Sequence, residues 1–353
     1  MSDSTVTPDV IVSTVGGAGV ITLNRPKALN SLNQAMCLAI EAALDQWRDD
    51  PAIHQVVIAS ASPKAFCAGG DVRAIREAQQ AGRHDLAEQF FLEEYRMDAA
   101  IATYPKPIVA LVDGINMGGG MGLSLHAQYR IYSEKAWASM PEAAIGFVPD
   151  VGVTWAAQRV VGTIGRPAPE IATFMGITGF RAKLADALYC GIATHFVPSD
   201  HMSGLIDGIG ADGVAAALGQ WAAEPPAETG FLEQHIADIS RVFSRDTWAE
   251  MEQELAAPET NPEFAAAVKE LTANASPASL VAIAELYRAN RNAPDVQAGI
   301  NNEYDLGKVL REEPNFAEGV RAVLVDKTQD AKFEPARTAD VDVEPYRAAL
   351  TWY

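Results

Sequence analysis

Asn116–His126 reads N-M-G-G-G-M-G-L-S-L-H, and the junction of its glycines with the apolar residues around them decides the fold. An apolar strand candidate, Ile108–Val112, leads into Gly118, Gly119 and Gly120, and a helix of small residues over Met121–His126 starts from them. A strand–turn–helix junction of this kind aims backbone N–H groups and the positive end of a helix dipole at one place. Downstream, after Y-R-I-Y, Met140–Asp150 reads M-P-E-A-A-I-G-F-V-P-D and sets Glu142 and Asp150 eight residues apart in a mostly apolar run. Backbone donors beside carboxylates are parts for chemistry at a carbonyl.

Upstream, Val10–Val15 and Val20–Leu23 flank Gly16-Gly17-Ala18-Gly19, a hairpin signal. Ser31 with Gln34 predicts a capping box, and Leu32, Met36, Ile40, Leu44 and Trp47 follow at helical spacing. Gln55–Ala59 reads as a short buried strand. K-A-F-C-A-G-G-D, Lys64–Asp71, is a second glycine turn before a helix pattern, Val72–Gln80, and another helix covers roughly Leu86–Ala102. Strand, turn and helix therefore alternate up to residue 150, which predicts an α/β fold with largely parallel pairing.

Beyond residue 170 the pattern is mostly helical. Pro225-Pro226 is the best linker candidate, Ser276-Pro277 is a helix start, and Asn301–Arg311 and Phe316–Val323 predict two helices separated by Pro314. The organisation expected is a core over residues 1–200 that carries the site, with a helical region over 201–353 packed on it.

The chain has 353 residues and a net charge of −19, spread along its length. That balance argues against nucleic-acid and anionic-membrane partners. No apolar run is long enough to span a bilayer. Three cysteines, Cys37, Cys67 and Cys190, lack C-x-x-C spacing, which excludes a disulfide scaffold and a zinc–thiolate site. With a start, M-S-D-S-T-V-T-P-D-V, that resembles neither a signal nor a transit peptide, the expected location is cytoplasmic.

Each candidate has a plainer explanation. The turn at Ala68-Gly69-Gly70 and the run Gly118–Gly120 could be tight packing turns; together they fit an oxyanion hole, which needs two convergent N–H donors. Glu142 and Asp150 could be a helix cap and a solvated acid, and an exposed helix face would explain Glu94. His126 suits a satisfied boundary residue, and Cys67 a packed small one. The chain lacks G-x-S-x-G, a Walker A motif, a complete G-x-G-x-x-G and H-E-x-x-H.

Three stretches, K-A-F-C-A-G-G-D, M-G-G-G-M-G-L-S and M-P-E-A-A-I-G-F-V-P-D, resemble the crotonase (enoyl-CoA hydratase/isomerase) superfamily, and within it the 3-hydroxyisobutyryl-CoA hydrolase branch. The likeness runs from about Gly17 to Val197 and resumes over residues 316–327. It implies a spiral of ββα units with a helical C-terminal region and a small-molecule acyl-CoA substrate, CoA being part of the substrate and no cofactor or metal being needed. It implies an oxyanion hole from the N–H groups of Ala68 and Gly119, catalytic roles for Glu142 and Asp150, and a substrate contact from Glu94. Enoyl-CoA hydratases of the superfamily carry an acid where this chain has Gly122, and they tend to have glycine at Asp150. The resemblance therefore favours thioester hydrolysis, as in valine catabolism, over hydration or isomerisation; a non-catalytic CoA-ester binder is the third reading. Trimers or pairs of trimers are the assemblies it implies. Gly162–Glu170 departs from the family pattern and is expected to be a rewritten loop beside the pocket.

Overall fold

A computed structural model describes residues 8–353; the first seven, to which most of the leader reading applies, lie outside it. Its strands fall into two sheets. The larger has the order β1 (Val10–Val15), β2 (Ala18–Leu23), β3 (Gln55–Ser60), β5 (Ile108–Val112), β7 (Tyr129–Tyr132), β10 (His195–Phe196). The smaller has the order β4 (Ala65–Cys67), β6 (Ile115–Met117), β8 (Trp137–Ser139), β9 (Ala182–Lys183). Each pass of the chain lays one strand in the large sheet and the next in the small one: β3 then β4, β5 then β6, β7 then β8. Helix α1 (Gln34–Arg48) precedes the first of these passes, and α2 (Val72–Gln80), α3 (His84–Ala102) and α4 (Gly119–Leu125) lie between them. This is the expected spiral of ββα units.

The central strands read as continuous apolar runs because both their faces are covered. Val56, Ile58, Ala110 and Val112 face the main core, whereas Val57, Ala59, Val109 and Leu111 face a second one. That second core is closed by helices Met202–Asp212 and Val214–Trp221 through Leu205, Ile209, Ala217 and Leu218. From Met202 onward the described residues form helices and connecting segments without strands. The main core takes in Tyr287, Leu310, Phe316 and Leu350 together with Ile21 and Val56.

Several local expectations shift. Ala18 and Gly19 continue β2 instead of the turn, since a Cβ on Gly19 would sit 2.4 Å from the Trp47 ring. Helix α1 is capped by Asn33, whose side chain accepts from Met36 N at 2.9 Å, and not by Ser31 with Gln34. Leu32 bridges to Gly70, so the backbone is still extended there and the helix can open only after it. Pro314 does not separate two helices but begins the second, Pro314–Val320, where its missing N–H is no loss.

Candidate active site

Strands β4, β6 and β8 lie side by side and parallel, Cys67 level with Asn116 and Met117 with Ser139. Segments that are far apart in sequence therefore leave one edge of one sheet together: 68–70, 118–120 and 140–142. Gly69 at φ +101° and Gly118 at φ +49° make the sharp exits, conformations that a side chain would strain.

The N–H of Ala68 donates to Leu29 O at 3.0 Å, so it is already taken. That corrects the expectation for Ala68. Two residues on, the N–H of Gly70 has no acceptor among the described residues, and neither has that of Gly119. The two amides lie close together: a Cβ on Gly119 would lie 3.4 Å from Gly70 N, and one on Gly69 would lie 3.8 Å from Gly119 N. The convergent pair is Gly70 with Gly119.

Glu142 opens a single 3-10 turn, Glu142–Ile145, directly after β8 and is 7% exposed. Its Oε1 lies 3.1 Å from where a Cβ on Gly118 would project, and its Oε2 is buried without a partner among the described residues. Burial and then the neighbouring Asp150 charge push Glu142 well above the usual carboxylate range. Asp150 is raised less, to about 6, because Tyr95 and Arg311 offset its burial. The Tyr95 hydroxyl donates to Asp150 Oδ2 at 2.6 Å. Two neighbouring carboxyls are thus both raised above their usual range, Glu142 by burial and the Asp150 charge, which suits a group that trades protons near neutral pH. Glu94 is not on an exposed face as its plainer reading had it: it is 3% exposed, and burial followed by Asp150 raises it well above its usual range.

The backbone after Asp150 is held in an unusual shape. Val151 has φ +54°, rare for a β-branched residue, and Gly152 has φ +77°. Two side chains fix it. His126 Nε2 meets Val151 O at 2.7 Å, and Glu303 accepts from Gly152 N at 2.6 Å and from the N–H and hydroxyl of Thr154 at 2.9 and 2.5 Å. Even with three donors, burial moves Glu303 up to about 8. His126 is the satisfied residue expected, and Cys67, buried and pushed up to about 12, is the packed thiol expected.

Glu94, Gly70, Gly119, Glu142, Asp150 and Ala68 line one cavity of about 860 Å³. Its inner wall is aromatic (Phe90, Phe91, Phe147, Phe316), while Arg25, Lys27, Arg73, Arg181 and Lys327 also border it. Arg25 is paired with Asp71 at 2.9 Å; among the described residues the other four bordering cations form no ion pair with a carboxylate. The segment Gly162–Glu170 contributes nothing to this wall, which corrects its expected position. A Cβ on Gly162 would strike the backbone of Leu188, Tyr189 and Gly191, so the segment packs against the helix Leu184–Cys190 instead.

Tyr95, Arg311 and Glu303 escaped the sequence reading. Tyr95 had a weak signal, being next to Glu94. Arg311 and Glu303 come from a helix, Val296–Glu312, about 150 residues beyond the turn they serve, and no local pattern marks them.

Fold and site together define a chain built to hold a small carbonyl compound with an anionic tail. Comparison with known proteins gives the family: the enoyl-CoA hydratase/isomerase model matches residues 18–350, and the chain belongs to that family, the crotonase superfamily of enzymes. It is 39% identical over 345 residues to the mitochondrial 3-hydroxyisobutyryl-CoA hydrolase of Gallus gallus, covering 95% of this chain and 87% of the relative. A carnitinyl-CoA dehydratase from Mycobacterium thermoresistibile superposes with a TM-score of 0.88 at 34% identity, over 98% of this chain and 97% of that one. An enoyl-CoA hydratase from Rhodobacter sphaeroides gives 0.85 at 36% identity, over 98% of both. These relatives also correct the cytoplasmic expectation, since the hydrolases from chicken, rat, human, mouse, zebrafish, cattle and two frogs are all mitochondrial. All three cysteines, Cys37, Cys67 and Cys190, are buried and free. Among the described residues no helix is long and apolar enough to cross a membrane.

Proposed function

We propose that the protein hydrolyses a short acyl-CoA thioester, 3-hydroxyisobutyryl-CoA, to 3-hydroxyisobutyrate and CoA. The observation that carries this reading is the pair of free amides, Gly70 and Gly119, in one cavity with two buried carboxyls, Glu142 and Asp150. The thioester oxygen sits between the two N–H groups, which stabilise the negative charge that develops as the carbonyl is attacked. Glu142, once ionised, either takes a proton from the attacking water or attacks the carbonyl itself to give a mixed anhydride. Asp150, held by Tyr95, binds the acyl hydroxyl or orients the water, and Glu94 positions the acyl group. Lys27, Arg73, Arg181 and Lys327 suit the phosphates of the CoA nucleotide, whose negative charge the rest of this acidic chain would repel.

Hydration is the second reading, favoured by the names of the two solved relatives. Against it, the space beside Gly122 is filled by Asp98, 2.6 Å from where a Cβ would project, and Asp98 does not line the cavity. Assembly into a trimer or a pair of trimers rests on the resemblance alone and is read by sedimentation velocity.

The test is thiol release from 3-hydroxyisobutyryl-CoA beside loss of crotonyl-CoA absorbance, for wild type, Glu142→Gln and Asp150→Asn. Thiol release that falls by roughly 10²–10⁴ in Glu142→Gln supports the hydrolase. Hydration of crotonyl-CoA without thiol release overturns it. Single turnover in labelled water then separates the two routes, because only the anhydride carries label into Glu142.

A further inference from the structure

Asp98 is a buried acid that the proposed chemistry leaves unused. It is fully buried on α3, one turn after Glu94, and neither carboxyl oxygen has a partner among the described residues. The same holds for Glu94 Oε1. Both side chains lie against glycines of α4: a Cβ on Gly119 would be 2.4 Å from Glu94 Oε1, and one on Gly122 would be 2.6 Å from Asp98 Oδ1. Glu94 borders the cavity and Asp98 stands behind it.

Ionising both acids there is not tenable, because an isolated buried carboxylate is very costly and these would repel each other. The ionisable groups that influence Asp98 are Glu94 from its own helix, Asp150 from the turn after Pro149 and Glu303 from the helix Val296–Glu312, all acidic. The thiols of Cys37 and Cys67 are close enough to be raised by it. No cation is among these groups, and Arg311 acts on Asp150 and Tyr95 instead. Residues one turn apart on a helix are neighbours, so the unpartnered Glu94 Oε1 is the natural acceptor for a hydrogen on Asp98.

We propose that Asp98 is a positioning residue, kept as the neutral acid, whose hydroxyl donates to Glu94 and fixes that carboxylate against Gly119 and the acyl end of the cavity. Glu94 then presents one defined oxygen to the substrate, and Asp98 adds no further negative charge beside the developing oxyanion. This rests on the substrate-contacting role given to Glu94 above. The preference of Asp98 for its neutral form agrees with burial and the Glu94 charge, both of which raise its range.

The experiment has a spectroscopic arm and a kinetic one. Infrared difference spectra compare wild type with Asp98→Asn at neutral pH. The expected result is a protonated-carboxyl C=O band that disappears in the variant; an unchanged spectrum overturns the proposal. In kinetics, Asp98→Asn keeps a donor of the same shape and holds KM within about threefold of wild type, while Asp98→Leu, which fills the space without a donor, raises KM about tenfold or more. Equal KM in the two variants overturns the positioning role, with thermal melts showing that both are folded. If Asp98→Leu does not fold, the infrared arm and Asp98→Asn decide. A wild type that shows the band but releases no thiol marks failure of the hydrolase reading, not of this one.

Discussion

Gly119→Ala tests the site at its narrowest point. The new methyl would sit 2.4 Å from Glu94 Oε1, 3.0 Å from Leu32 Cδ1 and 3.4 Å from Gly70 N. Only the first is a severe overlap, and it involves the end of the Glu94 side chain, which has to shift to admit the methyl. Alanine is also preferred over glycine within a helix by up to about 1 kcal/mol, which offsets part of the strain. The fold should therefore survive, with a melting temperature within a few degrees of wild type. Catalysis should not, because the methyl lies between the two amides. Loss of one oxyanion donor costs about 10²–10³ in kcat, roughly 2.7–4 kcal/mol of transition-state stabilisation. The cost should appear in kcat more than in KM, since the donors act on charge that only the transition state carries. Stopped-flow thiol release, read beside a thermal melt, gives both numbers. A folded Gly119→Ala enzyme with kcat within about threefold of wild type would refute the assignment of this amide.

Asp150→Asn should leave a weak residual activity whose acid limb lies at lower pH than that of wild type. Hydrolysis needs Glu142 ionised, burial and then the Asp150 charge raise its range, and asparagine removes the charge. A limb that stays in place or moves up in the pH dependence of kcat/KM would count against this coupling. Glu303 moves from about 4.3 in an unfolded chain to about 8 in the fold, so the stability it contributes is complete below the lower value and is lost as pH rises through the higher one. Urea unfolding of wild type and Glu303→Gln should show the wild-type advantage shrinking between acid and alkaline pH; an advantage that grows would contradict the burial argument.

Much of the site's outline is legible in the chain itself because it is local. A strand that ends in glycines before a helix leaves backbone donors exposed, wherever the rest of the chain goes, so the run Gly118–Gly120 is legible on that ground, and the family resemblance narrows it to Gly119. Glu142 and Asp150 stand out because an apolar run surrounds each of them. The resemblance set the second donor at Ala68, two residues before Gly70, whose amide is the one left free in the fold. Whether the N–H of Ala68 is free depends on Leu29, a partner nearly forty residues earlier that lies alongside only after folding. The local pattern by itself offers only an exposed face for Glu94, and its substrate contact comes from the resemblance, because the burial of a helix face is set by what packs on it, here α4 and its glycines.

Sequence by itself determined the alternation of strand, turn and helix, the family likeness, and the residue types able to handle a thioester carbonyl. Those follow from hydrophobic period, from the backbone freedom of glycine and from side-chain chemistry, all carried by neighbours in the chain. Only the tertiary structure decided which amides stay unpaired, that Glu142 and Asp150 are both buried and raised, and that Tyr95, Asp98, Glu303 and Arg311 are grouped around them. Those properties come from distance, burial and charge between segments as far apart in sequence as Tyr95 and Arg311, and such quantities exist only once the parallel strands β4, β6 and β8 have brought their ends to one edge.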